Sequence, residues 1–367
     1  MSREQIYKIV RNHMPAWKDI EFAPEDLILV PYKSLTNTII SAELPRADAN
    51  PRKVLVRIFA DTSKIINQRK ERAIFSEVAN QGMGPKVIVE SDDFRIEQFI
   101  ESRMLTNFEL RNRTLMRIFA ELLCDFHYSK NLDSQLVKVE KKEKPFIVTI
   151  LDEWLQVFRQ EYEMYCKHTT LPENKKVLEE MKFLLTPQFV DEFVRLLPKR
   201  TPELVVAHND IHEGNILQLS QQRTKLILID YEYCNYNYRA FDLSLYVTES
   251  ALDYTYPVYP YCKLYEDNKF DMDETCYLCE AYLRQYYSKY YVGEESYEKY
   301  RATELPELID EVLRLEPLNN VMWAMWGITT IHWNELTPEK EKDLWNYGFS
   351  KVKFDVYNKL KIPFLSI

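Results

Sequence analysis

Glycine is rare in this chain, and its placement excludes two large classes of phosphate-binding fold. The 367 residues include six glycines, which are Gly82, Gly84, Gly214, Gly293, Gly327 and Gly348. The GxGxxG fingerprint of dinucleotide-binding folds and the GxxxxGK[ST] loop of P-loop proteins each need glycines at fixed short spacings. Neither motif can be written from these positions. If the chain binds phosphate, groups outside those two loops must hold it.

The net charge and the pattern of apolar residues exclude further classes of protein. The formal net charge is −9, and lysine and arginine are scattered, whereas nucleic-acid binding requires a basic stripe. The N-terminal segment lacks the apolar core of a signal peptide, and no run approaches the roughly 18 apolar residues of a membrane helix. Cys276 and Cys279 form a single CxxC without a second pair for zinc. We expect a cytoplasmic protein with reduced thiols, no nucleic-acid partner and no membrane insertion.

The hydrophobic pattern predicts a small β-rich lobe followed by a larger helical one. Branched apolar runs predict five strands, at 27–30, 38–44, 54–59, 86–90 and 94–99. A helix is predicted over about 64–81. From about residue 107 onward the pattern is mainly helical, with one β-like insert at 205–231. The sequence therefore predicts an α+β protein with two lobes, 1–100 and 101–367.

The segment 205–242, VVAHNDIHEGNILQLSQQRTKLILIDYEYCNYNYRAFD, carries the clearest chemical signal. Asn215 follows Asp210 by five residues, and two strand-like runs, 216–219 and 226–229, then lead to Asp230. An amide and a carboxylate around Mg²⁺, with a separate carboxylate to accept a hydroxyl proton, suit phosphoryl transfer. Asp and Asn near turns also serve as caps, but the whole combination favours catalysis.

The segments HNDIHEGNIL and IDYEYCNYNYRAFD closely resemble the paired signatures of the eukaryotic choline/ethanolamine kinase family. The resemblance extends upstream through LTNTIISAEL, VLVRIFA, MGPK and RIEQFIESRML, and downstream to the tryptophan pair in NNVMWAMWGI and to FDVY. It implies a two-lobed protein-kinase-like fold, in which the N-terminal lobe binds the nucleotide and the helical lobe carries the catalytic loop and choline pocket. EGN and EQFIESR resemble choline kinases more than ethanolamine kinases.

The resemblance implies a role for each residue of the central motif. Asp210 is expected to be the catalytic base that deprotonates the substrate hydroxyl. Asn215 and Asp230 are expected to hold Mg²⁺ on the phosphates of ATP, with Glu232 as a further ligand. His208 is expected to support the catalytic loop and not to act as a base.

The resemblance also implies an ATP site. Its residues are Ser34, Thr36, Asn37, Thr38, Arg57, Glu71, Gln98, Ile100, His212 and Asp230. Arg57 is expected to contact phosphate and to form an ion pair with Glu71, and the backbone near Gln98 and Ile100 to meet the adenine edge. The family usually has glycines before a Ser/Thr-Asn pair, whereas 33–37 reads KSLTN here. Side chains, Lys33 included, are expected to replace some backbone contacts to phosphate.

The substrate site implied by the resemblance is aromatic. A quaternary ammonium has no N–H to donate, so it is bound by aromatic faces and a nearby carboxylate. The implied choline residues are Asp210, Tyr233, Glu249, Tyr254, Trp323, Trp326 and Phe349. Trp323 and Trp326 are three residues apart and thus share a helix face. Phe349 stands where an aromatic hydroxyl is common, and Leu245, Tyr246 and Ser250 where the family usually has Asn, His and Trp.

These features predict an ATP- and Mg²⁺-dependent kinase that converts choline to phosphocholine for phosphatidylcholine synthesis. A kinase of ethanolamine or of another small amino alcohol is an alternative that a substrate panel would separate. A catalytically silent kinase-like binding protein is an alternative of a different class, suggested by the missing glycines. The resemblance also implies a homodimer.

Overall fold

A computed structural model describes residues 2–32, 37–59 and 68–365 of the chain. Its strands are β1 (Ile28–Tyr32), β2 (Asn37–Glu43), β3 (Lys53–Phe59), β4 (Val87–Glu90), β5 (Phe94–Gln98), β6 (Ser102–Met104), β7 (Leu204–Ala207), β8 (Ile216–Leu219), β9 (Leu226–Leu228), β10 (Asn235–Tyr238), β11 (Leu252–Asp253) and β12 (Lys263–Leu264).

The helices of the described ranges outnumber the strands and are longer. They are α1 (Arg3–His13), α2 (Gln68–Asn80), α3 (Arg113–His127), α4 (Lys130–Leu136), α5 (Phe146–Asp152), α6 (Trp154–His168), α7 (Pro172–Met181), α8 (Pro187–Leu196), α9 (Arg239–Glu249), α10 (Met272–Lys289), α11 (Tyr297–Thr329), α12 (Pro338–Lys342), α13 (Asn346–Leu360) and α14 (Ile362–Leu365).

The chain divides into two compact units that each contain two segments of sequence. The first unit comprises Met1–Arg103 and Leu217–Tyr233, and the second comprises Met104–Ile216 and Cys234–Ile367. The first unit therefore takes up β9 and most of β8, although these strands lie more than a hundred residues after the rest of it.

The first unit is built on an antiparallel sheet in the order β1-β2-β3-β5-β4. The five strands predicted from the sequence are confirmed, and the predicted helix is present as α2, whose predicted start falls outside the described residues. In β3, Val54 and Val56 are fully buried, and Val56 lies opposite Ile96 of β5, as alternation in a strand with one buried face requires. Arg57 breaks the alternation because it is also buried.

The second unit is mainly helical, as its pattern predicts. The long helix α11 packs against α9 and α13, and α10 packs against α3. The strand β7 pairs with β10, so that Ala207 lies opposite Asn235. The apolar pattern does not predict β10, because its residues are NYNY and lack an apolar run. In the part of the chain that the structure describes, no helix combines the length and apolarity needed to cross a bilayer.

A buried glutamate on α11 provides a stability prediction. Glu316 is 3% exposed, and no group in the described ranges hydrogen-bonds to its Oε2. Burial raises the pKa of Glu316 from 4.5 to about 7, against the opposing charge of Lys269. The folded state thus holds this proton more tightly than the unfolded state. The resulting contribution to the free energy of unfolding is fully present below about pH 4.5 and is lost as the pH rises through about 7.

We therefore expect Glu316→Gln to stabilise the protein at pH 8 by about 3 kcal/mol and to have little effect near pH 4.5. Urea unfolding of both proteins at the two pH values measures this difference. Glu163→Gln, on the exposed face of α6, is the matched control and should stay within about 0.5 kcal/mol at either pH. Equal stability of Glu316→Gln and the wild type at pH 8 would contradict the claim that a buried charge on Glu316 destabilises the folded state.

Candidate active site

The loop between β7 and β8 is held by a buried aspartate of α9. The Asp242 carboxylate accepts hydrogen bonds from the backbone N–H groups of His208, at 2.7 Å, and Asn209, at 2.8 Å. Asn209 has a φ of +65°, a left-handed conformation that asparagine tolerates better than most residues. His127 Nε2 lies 3.0 Å from the same carboxylate, and its Nδ1 lies 2.7 Å from the Tyr282 hydroxyl. The path of this loop therefore depends on buried polar contacts. Asp242 was not among the predicted site residues.

Asp210 and Asn215, the predicted base and a predicted magnesium ligand, are neighbours on this loop. Asn215 Nδ2 donates to the Asp210 backbone carbonyl (2.9 Å) and to its Oδ2 (3.0 Å). Since the amide nitrogen faces Asp210, Asn215 Oδ1 lies on the other side of the amide, where it suits a hard cation. Gly214 permits the turn between them, because a Cβ there would lie 2.7 Å from Cε1 of the His212 ring.

Asp230, a predicted magnesium ligand, belongs to the first unit, where Arg57 is its ionic partner. Asp230 follows β9 with a φ of +67°, and its Oδ1 lies 3.4 Å from Arg57 Nη1. Arg57 is buried and donates through Nε to Glu97 at 3.1 Å. Burial alone would lower the pKa of Arg57, but Glu97 and Asp230 raise it above its usual value. The guanidinium is therefore a permanent positive charge beside Asp230, as phosphate binding would require.

The predicted ion pair between Arg57 and Glu71 is wrong. Glu71 of α2 instead accepts two hydrogen bonds from Arg95, at 2.9 and 3.1 Å. Arg95 faces Arg57 directly across β3 and β5, and it also donates to Glu97 at 2.9 Å. Two arginines that face each other in a sheet need carboxylates to offset their repulsion. Glu97 therefore bridges the pair, and Glu71 neutralises Arg95.

The predicted phosphate-contacting segment is only partly described. Ser34 and Thr36, with Lys33, lie outside the described residues. Asn37 and Thr38 are the first residues of β2, where Asn37 is half-buried and Thr38 exposed. The proposed contacts of all these side chains with phosphate stay predictions.

The predicted adenine-binding backbone lies at and just after the end of β5. The backbone N–H of Gln98 donates to the Lys86 carbonyl at 2.8 Å, so it serves the sheet. Ile100 is half-buried, and its carbonyl accepts a hydrogen bond from the Ser102 hydroxyl at 3.0 Å. The adenine contacts of both residues stay predictions.

Glu232 and Tyr233 follow Asp230 closely and are buried, with 8% and 4% exposure. The Glu232 carboxylate adds to the groups that raise the pKa of Arg57, which places its charge in the neighbourhood of that guanidinium. Tyr233, predicted for the choline site, belongs by its contacts to the first unit, whereas the other predicted choline residues belong to the second.

Four predicted choline residues lie in one aromatic cluster of the second unit, which we define as Tyr254, Trp323, Trp326, Trp345 and Phe349. The ring centroids are 5.5 Å apart for Trp323 and Trp326, 6.0 Å for Trp326 and Phe349, and 5.7 Å for Phe349 and Tyr254. Trp345, which was not predicted, lies 5.0 Å from Phe349 and 5.9 Å from Trp326. All these separations are typical of aromatic contacts.

A glycine allows α11 and α13 to meet beneath this cluster. A Cβ at Gly327, which follows Trp326, would overlap the Ser350 hydroxyl, and Ser350 follows Phe349. A larger residue at 327 would force the Ser350 side chain out of its place between the two helices. One of the six glycines is thus used to bring these rings together.

A buried ion pair lies against the aromatic cluster. Lys353 and Glu249 are 1% and 2% exposed, and Lys353 Nζ donates to Glu249 Oε1 at 2.6 Å. The Tyr254 hydroxyl donates to Glu249 Oε2 at 2.5 Å, so both carboxylate oxygens are engaged. Lys353 Nζ lies 5.7 Å and 5.8 Å from the ring centroids of Tyr254 and Phe349. Lys353 was missed, although a lysine four residues after Phe349 shares its helix face.

The loop between β7 and β8 contacts the aromatic cluster through His212. Its ring centroid lies 6.4 Å from that of Tyr254, in an edge-on arrangement. His212 was predicted to bind ATP, and that role stays a prediction. Burial raises the pKa of the next residue, Glu213, to about 7; Glu249 also raises it, whereas His212 lowers it. The loop that carries Asp210 therefore also brings an acidic side chain towards the Glu249–Lys353 pair.

Solved structures of other proteins show which fold this chain shares. The chain superposes on choline kinase from Cryptosporidium parvum with a TM-score of 0.75 and 21% identity, covering 100% of this chain and 97% of that one. It also superposes on an ADP-bound aminoglycoside phosphotransferase with a TM-score of 0.54 and 14% identity, covering 95% and 98%. These similarities confirm the predicted α+β, protein-kinase-like fold.

Sequence comparison then identifies the family. The sequence profile described as choline/ethanolamine kinase matches residues 32–358. A choline/ethanolamine kinase from Homo sapiens is 30% identical over 340 residues, which cover 89% of this chain and 80% of that protein. The chain belongs to the choline/ethanolamine kinase family and is an ATP-dependent small-molecule kinase with an alcohol substrate.

Proposed function

We propose that this kinase transfers the γ-phosphate of ATP to the hydroxyl of choline and so produces phosphocholine, a precursor of phosphatidylcholine. The observation that carries the proposal is the aromatic cluster beside a buried carboxylate, reached by the loop of Asp210. Ring faces attract an ammonium without hydrogen bonding, and each such contact contributes about 0.5–2 kcal/mol.

Asp210 is proposed as the catalytic base. Its carboxylate would accept the proton of the choline hydroxyl as the oxygen attacks the γ-phosphorus. The hydrogen bonds from Asn215 to its carbonyl and Oδ2 support this role, because they hold the side chain in one orientation. His208 is proposed to support the loop through its backbone N–H bond to Asp242.

Asn215, Asp230 and Glu232 are proposed as magnesium ligands. They offer amide and carboxylate oxygens, which are the ligands that Mg²⁺ prefers. Within the described residues no group of three or more His, Cys, Asp or Glu side chains is arranged around a metal position, so the proposed set depends on the amide of Asn215. A bound Mg²⁺ would neutralise charge on the phosphates.

The first unit is proposed to bind the nucleotide. Arg57, a buried and permanently charged guanidinium, would contact phosphate, and Ser34, Thr36, Asn37 and Thr38 would supply further contacts. Glu71 would act through Arg95 and not through Arg57, because Arg95 is its ionic partner. Gln98, Ile100 and His212 complete the proposed nucleotide contacts.

Two wider properties complete the proposal. By resemblance to the family, we propose a cytoplasmic enzyme that forms a homodimer. Sedimentation of the purified chain tests the dimer, since a species of twice the chain's 44.0 kDa is expected. Cell fractionation tests the compartment.

The proposed reaction is tested by incubating the purified chain with ATP and Mg²⁺ and with choline, ethanolamine or no alcohol. We expect phosphocholine from the first mixture, little product from the second, and only background ATP hydrolysis in the third. A preference for ethanolamine would mean that the alternative alcohol, and not choline, is the substrate. A folded chain without any turnover would favour a silent binding protein.

Trp323→Ala is expected to raise the KM for choline about tenfold while the KM for ATP changes less than about twofold. Loss of one ring face removes about 1–2 kcal/mol of cation–π attraction, and 1.4 kcal/mol corresponds to a factor of ten. Steady-state kinetics with each substrate varied in turn measures both constants. Trp333→Ala, outside the aromatic cluster and in contact with His168, is the matched control and should leave both unchanged. Equal increases in both KM values would contradict the proposal that Trp323 binds choline.

A further inference from the structure

The segment between α11 and α13 carries Trp345 into the aromatic cluster. Trp345 directly precedes α13, and its ring centroid lies 5.0 Å from that of Phe349 and 5.9 Å from that of Trp326. Trp323, Trp326 and Phe349 are buried on helices, whereas Trp345 is half-buried at the end of the connecting segment. The place of the Trp345 ring therefore depends on how this segment is attached to the rest of the second unit.

Glu341 attaches this segment to the connection between α6 and α7. It is 1% exposed, and its carboxylate accepts four hydrogen bonds. Oε2 accepts from the backbone N–H of Thr170 at 2.8 Å and from its hydroxyl at 2.6 Å. Oε1 accepts from the Leu171 N–H and from Asn174 Nδ2, each at 3.0 Å. Both oxygens are thus engaged by one short stretch of the chain.

The donors explain why a charged carboxylate is stable at this buried position. The helix α7 begins after Leu171, whose apolar side chain cannot cap it, so Glu341 supplies a carboxylate at this end from another part of the chain. Burial would raise the pKa of Glu341, but the hydrogen bonds from Thr170, Asn174 and Leu171 lower it below its usual value. A neutral side chain at 341 could not satisfy all four donors.

A second contact attaches the segment on the other side of Trp345. The Tyr347 hydroxyl lies 2.7 Å from Thr169 Oγ1, and both residues are buried. Glu341 precedes Trp345 by four residues, and Tyr347 follows it by two. Trp345 is therefore placed by two attachments to one connection, residues 169–174, which itself supplies no member of the aromatic cluster.

We propose that Glu341 is a positioning residue for the alcohol site. By fixing the segment before α13 to the connection between α6 and α7, it holds the Trp345 ring against Trp326 and Phe349, where the ring adds to the attraction for the cationic head of the alcohol. Glu341 itself does not touch the substrate. This inference rests on the proposed function.

The test is a double-mutant cycle that combines Glu341→Gln with Trp345→Ala. In glutamine an N–H group replaces one acceptor oxygen and faces two of the four donors, so the segment must shift and the Trp345 ring moves with it. Glu341→Gln should raise the KM for choline about fivefold, with kcat and the KM for ATP within about twofold of the wild type. Trp345→Ala should raise the KM for choline by a similar factor. The double variant should be no worse than Trp345→Ala alone, because Glu341 acts through that ring.

The matched control is Glu339→Gln, on the exposed side of the same helix, α12, which should leave both KM values unchanged. Asn174→Leu provides a milder variant if Glu341→Gln is recovered in poor yield. Asn174 is 2% exposed, its Nδ2 donates to Glu341, and its Oδ1 has no hydrogen-bond partner in the described ranges. This substitution should therefore act mainly through Glu341 and raise the KM for choline about twofold to threefold.

Three results would overturn the inference. If folded Glu341→Gln enzyme keeps the wild-type KM for choline, Glu341 serves only the stability of the fold. If the two single effects multiply in the double variant, to about twenty-fivefold, Glu341 does not act through Trp345. If kcat and both KM values change together, the substitution disturbs more than the alcohol site. A wild-type enzyme that phosphorylates ethanolamine and not choline would contradict the proposed function alone, because the same cycle, measured with the KM for ethanolamine, still decides the role of Glu341.

Discussion

Asp210→Asn is expected to lower kcat by about a thousandfold while the protein folds and binds ATP normally. A positioned general base contributes about 10²–10⁴ to the rate of proton transfer, and asparagine cannot accept the proton. The substitution preserves size, and the Asp210 backbone carbonyl that accepts from Asn215 is untouched. The loss should therefore fall on the chemical step and not on the loop.

Steady-state kinetics and thermal unfolding of the same preparation separate these effects. We expect the KM for ATP to change less than about threefold and the unfolding temperature to stay within a few degrees. Asp191→Asn, at an exposed position of α8, serves as the matched control and should retain full turnover. Turnover of the Asp210→Asn enzyme within tenfold of the wild type would mean that another group receives the proton.

Much of the fold could be predicted because its signals are local. The strands of the first unit are runs of branched apolar residues, and β8 begins and ends where the apolar pattern places it. The strand β10 could not be predicted in this way. Its NYNY sequence lacks an apolar run, and it becomes a strand because β7 offers it a pairing partner. Long-range pairing of this kind overrides local propensity.

The residues of the candidate site also differ in whether a local sequence signal could reveal them. Asp210 and Asn215 are five residues apart in one motif, and the structure brings them into hydrogen-bond contact. Arg95 and Lys353 were missed because their roles depend on distant partners: Arg95 meets Glu71 from another element, and Lys353 meets a carboxylate 104 residues away. One local signal for such residues does exist, which is a charged residue on an otherwise apolar helix face.

That signal applies most clearly to Asp242. It lies in α9, whose residues RAFDLSLYVTE are all buried, so its charge has to be matched inside the protein. Its partners are the backbone N–H groups of His208 and Asn209 and the His127 ring. These hydrogen bonds fix the two residues that directly precede Asp210.

We expect Asp242→Asn to lower kcat about a hundredfold or more, although Asp242 is not proposed to touch substrate. The substitution turns one acceptor oxygen into an N–H donor, so one of the three donors now faces another donor and the loop must shift. A displacement of about 1 Å in a catalytic group can cost about 10²-fold in rate. The free energy of unfolding should also fall by about 1–3 kcal/mol, since a buried donor loses its partner.

A positioning role and a purely structural role make different predictions for this variant. If Asp242 only stabilises the fold, kinetics measured well below the unfolding temperature should be normal for every folded molecule, as titration of active sites would reveal. If it positions Asp210, the folded fraction should itself be slow, with the KM for ATP nearly unchanged. Tyr282→Phe, which removes only the outer hydrogen bond to His127, should keep kcat within about tenfold. A slow Tyr282→Phe enzyme beside a normal Asp242→Asn enzyme would reverse the assignment, because the loop would then depend on His127 and not on the carboxylate.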